Sequence, residues 1–352
     1  MAITLIKEPF MKAVALKTYL PINNPDSLLD VTLDKPVPTG RDLLVAVDAI
    51  SVNPVDTKVR SPKDKVESEY RVLGWDAVGR VVATGPEATL FKVGDEVYYA
   101  GSIARAGSNS EFQLVDERIV GHKPTTLSNA QAAALPLTAI TAWEGLFDRL
   151  LIPQSTQASK SKPKTLLIIG GAGGVGSIAI QLAKTLTNVT VIATASRAES
   201  AQWCRSLGAD VVIDHRKSLQ EQLTAQGINA VDYIFCLNNT DQHWIAMSEV
   251  IKPQGHICSI VELRGQVDLN LLKNKSVTFT WELMFTRSLF ETDDMIEQHH
   301  LLNRVADLID NGKIITTLNQ VLSPINASNL RQVHAQIESG TTIGKIVLEK
   351  WQ

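Results

Sequence analysis

The sequence predicts an α/β protein of two domains, one rich in short strands and one built as an open, doubly wound parallel sheet. Three observations lead there. A chain of 352 residues is long for one domain and natural for two. Residues 12 to 120 hold closely spaced β-type runs between turn signals. From Thr165 onward, strand and helix patterns alternate behind a glycine loop, Ile169-Gly170-Gly171-Ala172-Gly173-Gly174-Val175-Gly176.

In the first part, strand patterns occur at Leu43-Leu44-Val45-Ala46-Val47, Val78 to Thr84 and Glu96-Val97-Tyr98-Tyr99. Turns at Pro36, Pro38-Thr39-Gly40, Gly85-Pro86 and Gly94-Asp95 set them off. Short strands at this spacing predict a barrel or sandwich. Ser128 to Leu150 is Ala-rich and helical in pattern, broken at Pro136. Pro153 to Lys164 is polar and reads as an exposed loop within one unit. Strands are then expected at 165–170, 189–194, 210–214, 231–236, 255–261 and 276–281, with helices between most of them. Beyond about residue 285 the pattern predicts a helix over 293–311, a strand near 318–322, a helix near 326–338 and a last strand at 344–348. This tail does not extend the parallel sheet and is expected to pack back on the first domain. The expected division is 1–135 with 285–352, a discontinuous β-rich domain, and 136–284, the parallel-sheet domain.

Charged residues at 20% and hydrophobic residues at 44% set aside disordered and fibrous classes. A net charge of -3, with no basic block, argues against a nucleic-acid partner. The longest apolar runs, such as Thr165 to Ile169, are too short to span a bilayer. The N-terminus, MAITLIKEPF, lacks the pattern of a secretory signal and is expected to be a short extension before Met11. Cys204, Cys236 and Cys258 form no CxxC pair, so buried thiols in a reducing cytosol are expected rather than disulfides.

The glycine loop contains G-x-G-x-x-G at Gly171, Gly173 and Gly176, between an apolar strand and an amphipathic helix. That context predicts dinucleotide binding in a Rossmann arrangement. Gly171 is expected to allow the tight turn, Gly173 to let backbone approach a pyrophosphate, and Gly176 to permit close helix–strand packing. Ala172, Gly174 and Val175 complete the loop, and the N–H groups at the helix start are expected to face phosphates. The end of the second strand reads Thr194-Ala195-Ser196-Arg197, with no carboxylate for a ribose 2′-hydroxyl. A hydroxyl and a guanidinium suit a 2′-phosphate, which favours NADP(H) over NAD. Ser196 and Glu199 also read as a capping box for the next helix, with Arg197 as a solvated first-turn residue. His215 and Arg216, after the third strand, are further candidates for the adenosine end.

Further segments add to this: Asn53-Pro54-Val55-Asp56, Leu73-Gly74-Trp75-Asp76-Ala77-Val78-Gly79, Lys92 to Val97, Leu135 to Trp143 and Gly344 to Leu348. With the glycine loop, they resemble the medium-chain dehydrogenase/reductase superfamily, and most closely its zinc-free quinone oxidoreductase branch, often labelled zinc-type alcohol dehydrogenase-like. The resemblance runs from about residue 12 to the C-terminus. It implies a GroES-like β-rich catalytic domain beside the Rossmann domain. Where the resemblance puts Cys, His and, in the helical region, a second Cys in zinc members of the family, this chain has Asn53, Trp75 and Leu137. Those side chains cannot build a tetrahedral N/S zinc site. The four clustered cysteines of the family's structural zinc are missing as well. No zinc is therefore expected.

The resemblance places Asn53 beside the nicotinamide, to position the ring or the acceptor carbonyl. Taken alone, Asn53-Pro54 is a turn with an Asn cap. By position the resemblance also implies cofactor contacts at Thr141, Asn238, Ile260 and Lys345. Their plainer readings are helix packing, strand-end capping, core and an exposed edge. The resemblance further implies Asn53 as a donor to the developing oxyanion, with Tyr70 or a water delivering the proton. Asp76 either pairs with a buried cation or acts as an acid, Trp75 is expected in the core, and Asp56 is expected as a structural turn partner. For the segment Thr280 to Arg287 the resemblance implies pairing of two subunits into a homodimer, and the plainer reading is an ordinary packed edge. Without a Lewis acid, alcohol oxidation fits poorly. Reduction of an electrophilic acceptor by NADPH fits better. A quinone is the leading acceptor, an enone or 2-alkenal the second. A non-catalytic NADPH-binding sensor or structural protein is the third reading.

Overall fold

The computed structural model describes residues 9–155 and 163–352. Residues 1–8 of the extension expected before Met11, and most of the polar loop expected over 153–164, lie outside the described residues, and the first strand takes in Phe10. The chain divides into two compact units, residues up to Leu137 with Phe285–Gln352, and Thr138–Met284.

The first unit begins with β1 (Phe10–Tyr19), β2 (Leu29–Asp34), β3 (Asp42–Val52), α1 (Pro54–Arg60), β4 (Lys63–Val72) and β5 (Ala77–Thr84). It continues through β6 (Glu96–Tyr99), β7 (Phe112–Asp116), β8 (Val120–His122) and α2 (Asn129–Ala133). β1 pairs antiparallel with β2 and β4 in a small sheet. β3 is the spine of the larger sheet and pairs with β5 and β7. Leu43, Leu44, Val45, Val47, Ala49, Ile50 and Val52 are all buried, as a central strand requires. A Cβ at Gly79 would lie 2.0 Å from the Ala46 carbonyl oxygen, so only glycine lets β5 run this close to β3. α1 starts where Asn53 leaves that strand. Pro54 presets the first helical φ, and the Asp56 carboxylate accepts the Asn53 N–H at 2.8 Å.

α3 (Pro136–Trp143) runs into a π-helical turn, Glu144–Arg149. Then come β9 (Thr165–Ile169), α4 (Gly174–Leu186), β10 (Thr190–Thr194), α5 (Ala198–Ser206), β11 (Val211–Ile213) and α6 (Leu219–Ala225). β12 (Val231–Cys236), α7 (Thr240–Val250), β13 (Ile251–Ser259), α8 (Asn270–Lys273) and β14 (Thr278–Trp281) complete the second unit. Its strands are parallel in the order β11-β10-β9-β12-β13-β14. β9 is buried along its whole length, the continuous apolar run of a strand covered on both faces. Leu167, Ile192, Ile234 and Ile257 from four neighbouring strands share one core with Leu223, Trp244 and Met247. The chain starts at β9, moves outward to β11, and crosses back to β12. That reversal is the switch point where open α/β sheets bind ligands. β13 begins at Ile251, earlier than the expected 255, with Gln254 at φ +61° marking an irregularity within it.

The tail comprises α9 (Thr286–Phe290), α10 (Glu297–Asp310), β15 (Leu318–Leu322), α11 (Ala327–Glu338) and β16 (Lys345–Glu349). β16 pairs antiparallel with β3, Ile346 opposite Val52, and parallel with β15. It thereby joins the sheet of the first unit in the order β15-β16-β3-β5-β6-β8. Cys204, Cys236 and Cys258 are free and buried. No helix among the described residues is long and apolar enough to cross a membrane.

Candidate functional site

The glycine loop connects β9 to α4. Gly170 has φ +91°, so the left-handed residue of this turn is the glycine just before Gly171, to which the motif reading gave the tight turn. Gly171 is glycine for another reason: a Cβ there would lie 2.8 Å from the Ala193 Cβ and 3.1 Å from Cys204 Sγ. A Cβ at Gly176 would lie 2.5 Å from the Gly170 carbonyl oxygen, the close helix–strand packing the motif predicts. Gly173, the N-cap of α4, has no protein atom within 3.7 Å of such a Cβ. Packing therefore does not demand glycine there, and the free approach is what a pyrophosphate needs. Gly174, Val175 and Gly176 form the first helical turn, whose N–H groups find no acceptor within the helix and carry the positive end of its dipole. Ala172 packs beneath, its carbonyl 3.5 Å from Ser177 Oγ. The Gly170 and Gly171 N–H groups donate to Thr194 Oγ1 and to the Thr194 carbonyl, both at 3.0 Å, tying the loop to the end of β10.

Other strand ends meet around this loop. Arg216 donates to the Ser196 carbonyl at 2.5 Å and forks onto Asp214 at 3.0 and 2.9 Å, bringing the ends of β10 and β11 together. That guanidinium holds the Asp214 carboxyl down at about 2. The expected capping box of Ser196 and Glu199 is displaced by one residue. Arg197 is still extended (φ -119°, ψ 152°) and is itself the N-cap of α5, its N–H donating to Ser200 Oγ at 3.2 Å. His215 is half-buried, with its ring 6.2 Å from that of His243 and its Nδ1 buried without a hydrogen-bond partner. Burial lowers its pKa. Asn238 follows β12, its Cβ 3.6 Å from where a Gly170 Cβ would stand. Ile260 follows β13 and donates its N–H to the Cys236 carbonyl at 3.2 Å. The loop, Ser196, Arg197, His215, Asn238 and Ile260 thus all stand at the carboxyl ends of β9 to β13, around the switch point. Thr141 is buried on α3.

The first unit holds a site of another kind. Asn53, Asp76 and Lys345 are 1%, 0% and 3% exposed. Lys345 Nζ donates to Asn53 Oδ1 at 2.5 Å, to the Val52 carbonyl at 3.0 Å and to Asp76 Oδ2 at 3.1 Å. Asn53 Nδ2 donates to Asp76 Oδ2 at 2.8 Å, with a longer contact of 3.5 Å to the Trp75 carbonyl. The Leu137 N–H donates to Asp76 Oδ1 at 2.7 Å. Burial raises the Asp76 pKa, and Lys345 is the largest influence opposing it. Such a pair is tolerable only because each charge keeps several further hydrogen bonds. Beside it, Asp56 caps α1, and burial pushes its carboxyl up to about 7.

The plain reading of Lys345 as an exposed edge residue is overturned. It is the buried cation that one reading of Asp76 called for. Asn53 is the N-cap of α1, while its side chain joins the charge cluster. Trp75 is core, its Nε1 donating to the Ser102 carbonyl at 3.2 Å. Tyr70 does not join the cluster: it lies on β4 of the small sheet, 41% exposed, with the Lys17 ammonium 5.3 Å from its ring.

Sequence reasoning missed the Leu137 backbone donor and a second buried carboxylate cluster. In the second unit, Arg149 Nε donates to Glu282 Oε2 at 2.8 Å, and the guanidinium lies 4.0 Å from Glu144. Burial, then the Glu144 charge, push the Glu282 carboxyl up to about 9. The available signal was a lone charge inside an apolar run, Glu144 between Trp143 and Gly145, and Glu282 between Trp281 and Leu283. Among the described residues, no group of three or more His, Cys, Asp or Glu side chains is placed to hold a metal ion.

Residues 207–348 match the zinc-binding dehydrogenase family, and residues 39–136 match the alcohol dehydrogenase GroES-like domain. A zinc-type alcohol dehydrogenase-like protein of Staphylococcus epidermidis is 46% identical over 339 residues, 96% of this chain and 99% of that protein. The crystal structure of a protein from Rhizobium etli described as a candidate zinc-dependent alcohol dehydrogenase aligns with a TM-score of 0.93 at 52% identity, over 97% of this chain and 99% of that one. The quinone oxidoreductase of Coxiella burnetii aligns with a TM-score of 0.77 at 25% identity, over 97% of this chain and 100% of that one. A 2-methylene-furan-3-one reductase of Solanum lycopersicum is 40% identical over 191 residues, 51% of this chain and 46% of that protein.

Proposed function

Because the chain belongs to the medium-chain dehydrogenase/reductase superfamily of oxidoreductases, in its zinc-type alcohol dehydrogenase-like group, we propose that it transfers hydride from NADPH to a quinone without a metal ion. One observation carries the metal-independent reading. Asn53, which stands where the resemblance puts a metal ligand, is bound into an Asn53–Asp76–Lys345 cluster with both Asp76 oxygens engaged. Asn53, Trp75 and Leu137 offer neither thiolate nor imidazole there. Zinc does not fit this donor set, and no step is routed through it.

The family works with NAD(P)H. The cradle at Gly173 and the first-turn N–H groups of α4 fit the pyrophosphate. Arg197 stands at the end of β10, where an NAD site carries a carboxylate for the ribose, and Arg216 reaches that end from β11 through the Ser196 carbonyl. Asp214 is taken up by Arg216. This supports NADPH over NADH. When bound, the nicotinamide supplies the hydride. Asn53 positions the ring or the acceptor. Its second Nδ2 hydrogen, engaged only by the 3.5 Å contact to the Trp75 carbonyl, is the one it can turn toward a developing oxyanion. Tyr70 stands apart from that group, so water is the better candidate for delivering the proton.

Likeness to the Coxiella quinone oxidoreductase supports a quinone acceptor. The stretch shared with the tomato furanone reductase favours a second reading, an α,β-unsaturated carbonyl acceptor. Both are already electrophilic and need no Lewis acid. The test is NADPH consumption by purified, EDTA-treated protein with benzoquinone and with an α,β-unsaturated aldehyde, NADH serving as control. Turnover with NADPH, slower with NADH, is expected, and the faster acceptor decides between the two classes. NADPH binding without turnover of either acceptor would sink the reading. Edge strand β14, with Trp281 and Leu283 exposed beside it, supports a homodimer. Sedimentation at the mass of the 38.4 kDa chain would count against that.

A further inference from the structure

We infer that Lys345 and Asp76 form a two-ended clamp that dictates which way round the Asn53 amide faces, making Lys345 a positioning residue rather than a cofactor contact. The inference rests on the role proposed for Asn53. An ammonium can only donate and an ionised carboxylate can only accept. Lys345 Nζ stands 2.5 Å from Asn53 Oδ1, and Asp76 Oδ2 stands 2.8 Å from Asn53 Nδ2. Turning the amide over would set its NH2 group against the ammonium and its oxygen against the carboxylate. Both contacts would become repulsive at once. The orientation of the amide is therefore held by charge.

Lys345 is committed to this task. Its third partner is the Val52 carbonyl at 3.0 Å, so all three donors are engaged and the residue is buried. The register of β16 brings it there. Ile346 lies opposite Val52, the last residue of β3, which sets Lys345 beside Asn53, the N-cap of α1. Asp76 is held independently by the Leu137 N–H at 2.7 Å, so neither end of the clamp depends on Asn53 for its own position. With Oδ1 and one Nδ2 hydrogen fixed, only the second Nδ2 hydrogen is left to point at a substrate or cofactor oxygen.

The test uses the full chain and the quinone assay, with Lys345→Met, Lys345→Arg, Asn53→Ala and the double variant Asn53→Ala/Lys345→Met. Lys345→Met is expected to lower kcat roughly 10- to 100-fold, the range for misplacing a reacting group, with the NADPH Kd unchanged by fluorescence titration. Lys345→Arg keeps a donor-only cation and is expected to recover part of the loss. On the Asn53→Ala background, Lys345→Met should cause no further loss of kcat. Additive losses, or a weakened NADPH Kd, would show that Lys345 touches the cofactor itself and overturn the clamp. If Lys345→Met does not fold, Asp76→Asn/Lys345→Met removes both charges together, and undiminished kcat in that variant would overturn it too. If Asn53→Ala keeps full activity, the proposed role of Asn53 falls, and the clamp is then judged by NMR of the Asn53 side-chain amide in [15N]Asn-labelled protein. Slow rotation and exchange in the wild type, lost in Lys345→Met, support it. Identical behaviour in both overturns it.

Discussion

The two units build their candidate sites from opposite materials. In the second, the glycine loop offers almost no side chains: its working parts are backbone N–H groups at the start of α4 and the space a missing Cβ leaves at Gly173. In the first, Asn53, Asp76, Leu137 and Lys345 are brought together from four separate stretches of the chain, and charge holds them. A backbone-made site depends on local geometry and fails by collision. A side-chain-made site depends on tertiary register and fails by leaving a charge alone.

Mutations that attack each material should break the two sites in these different ways. The largest effect is expected from Asp76→Ala. It removes the counter-charge of buried Lys345 and should lower stability by about 3–5 kcal/mol in urea unfolding. A loss below about 1 kcal/mol would mean that water reaches the cluster and solvates the ammonium. Next comes Gly176→Ala, whose new methyl would lie 2.5 Å from the Gly170 carbonyl oxygen. NADPH affinity should fall by roughly 100-fold, about 2.7 kcal/mol, read by fluorescence titration. Near-normal binding would show that the loop can yield at its tightest point.

Smaller effects sharpen the contrast. Arg197→Ala and Arg216→Ala should each weaken NADPH binding by roughly tenfold, about 1.4 kcal/mol, while leaving NADH binding unchanged. Equal losses for both cofactors would remove the 2′-phosphate reading. A pH effect is expected at the edge of the charged cluster. Asp56 titrates at about 7 in the folded protein against 3.8 for an unperturbed group. The folded state therefore binds this proton more tightly, and its stabilising contribution fades as pH rises from about 4 to about 7. Asp56→Asn should flatten the fall in melting temperature across that window. Wild-type and variant curves running parallel would show that Asp56 does not titrate there. The smallest change is expected from metal. EDTA, or added zinc at equimolar concentration, should leave turnover unaltered, and zinc-dependent activation would undo the metal-independent reading.

The same division explains what could be read in advance. The alternating strands and helices from Thr165 onward, and the glycine loop between β9 and α4, follow from local apolar periodicity and from the demands of one tight connection. Even there the detail shifted. The left-handed residue is Gly170 and not Gly171, and the cap of α5 is Arg197 and not Ser196, because both depend on dihedral angles that a motif does not specify. Tyr70 shows the limit from the other side. The resemblance offers it as a proton donor, but it lies on β4 of the small sheet, 41% exposed, and is not among the described hydrogen-bond partners of Asp76 or Lys345.

By itself, then, the sequence determined the two kinds of unit, the position of the glycine-rich turn after β9 and the absence of thiolate and imidazole at Asn53, Trp75 and Leu137. These are properties of neighbours along the chain, or of a residue's own chemistry. Only the tertiary structure decided that Lys345 is buried against Asn53 and Asp76, that the Leu137 N–H donates to the same carboxylate, and that Arg149 joins buried Glu282 and Glu144. The physical reason is that the partner of a buried charge is set by strand register and helix packing, which place residues hundreds of positions apart within hydrogen-bond distance.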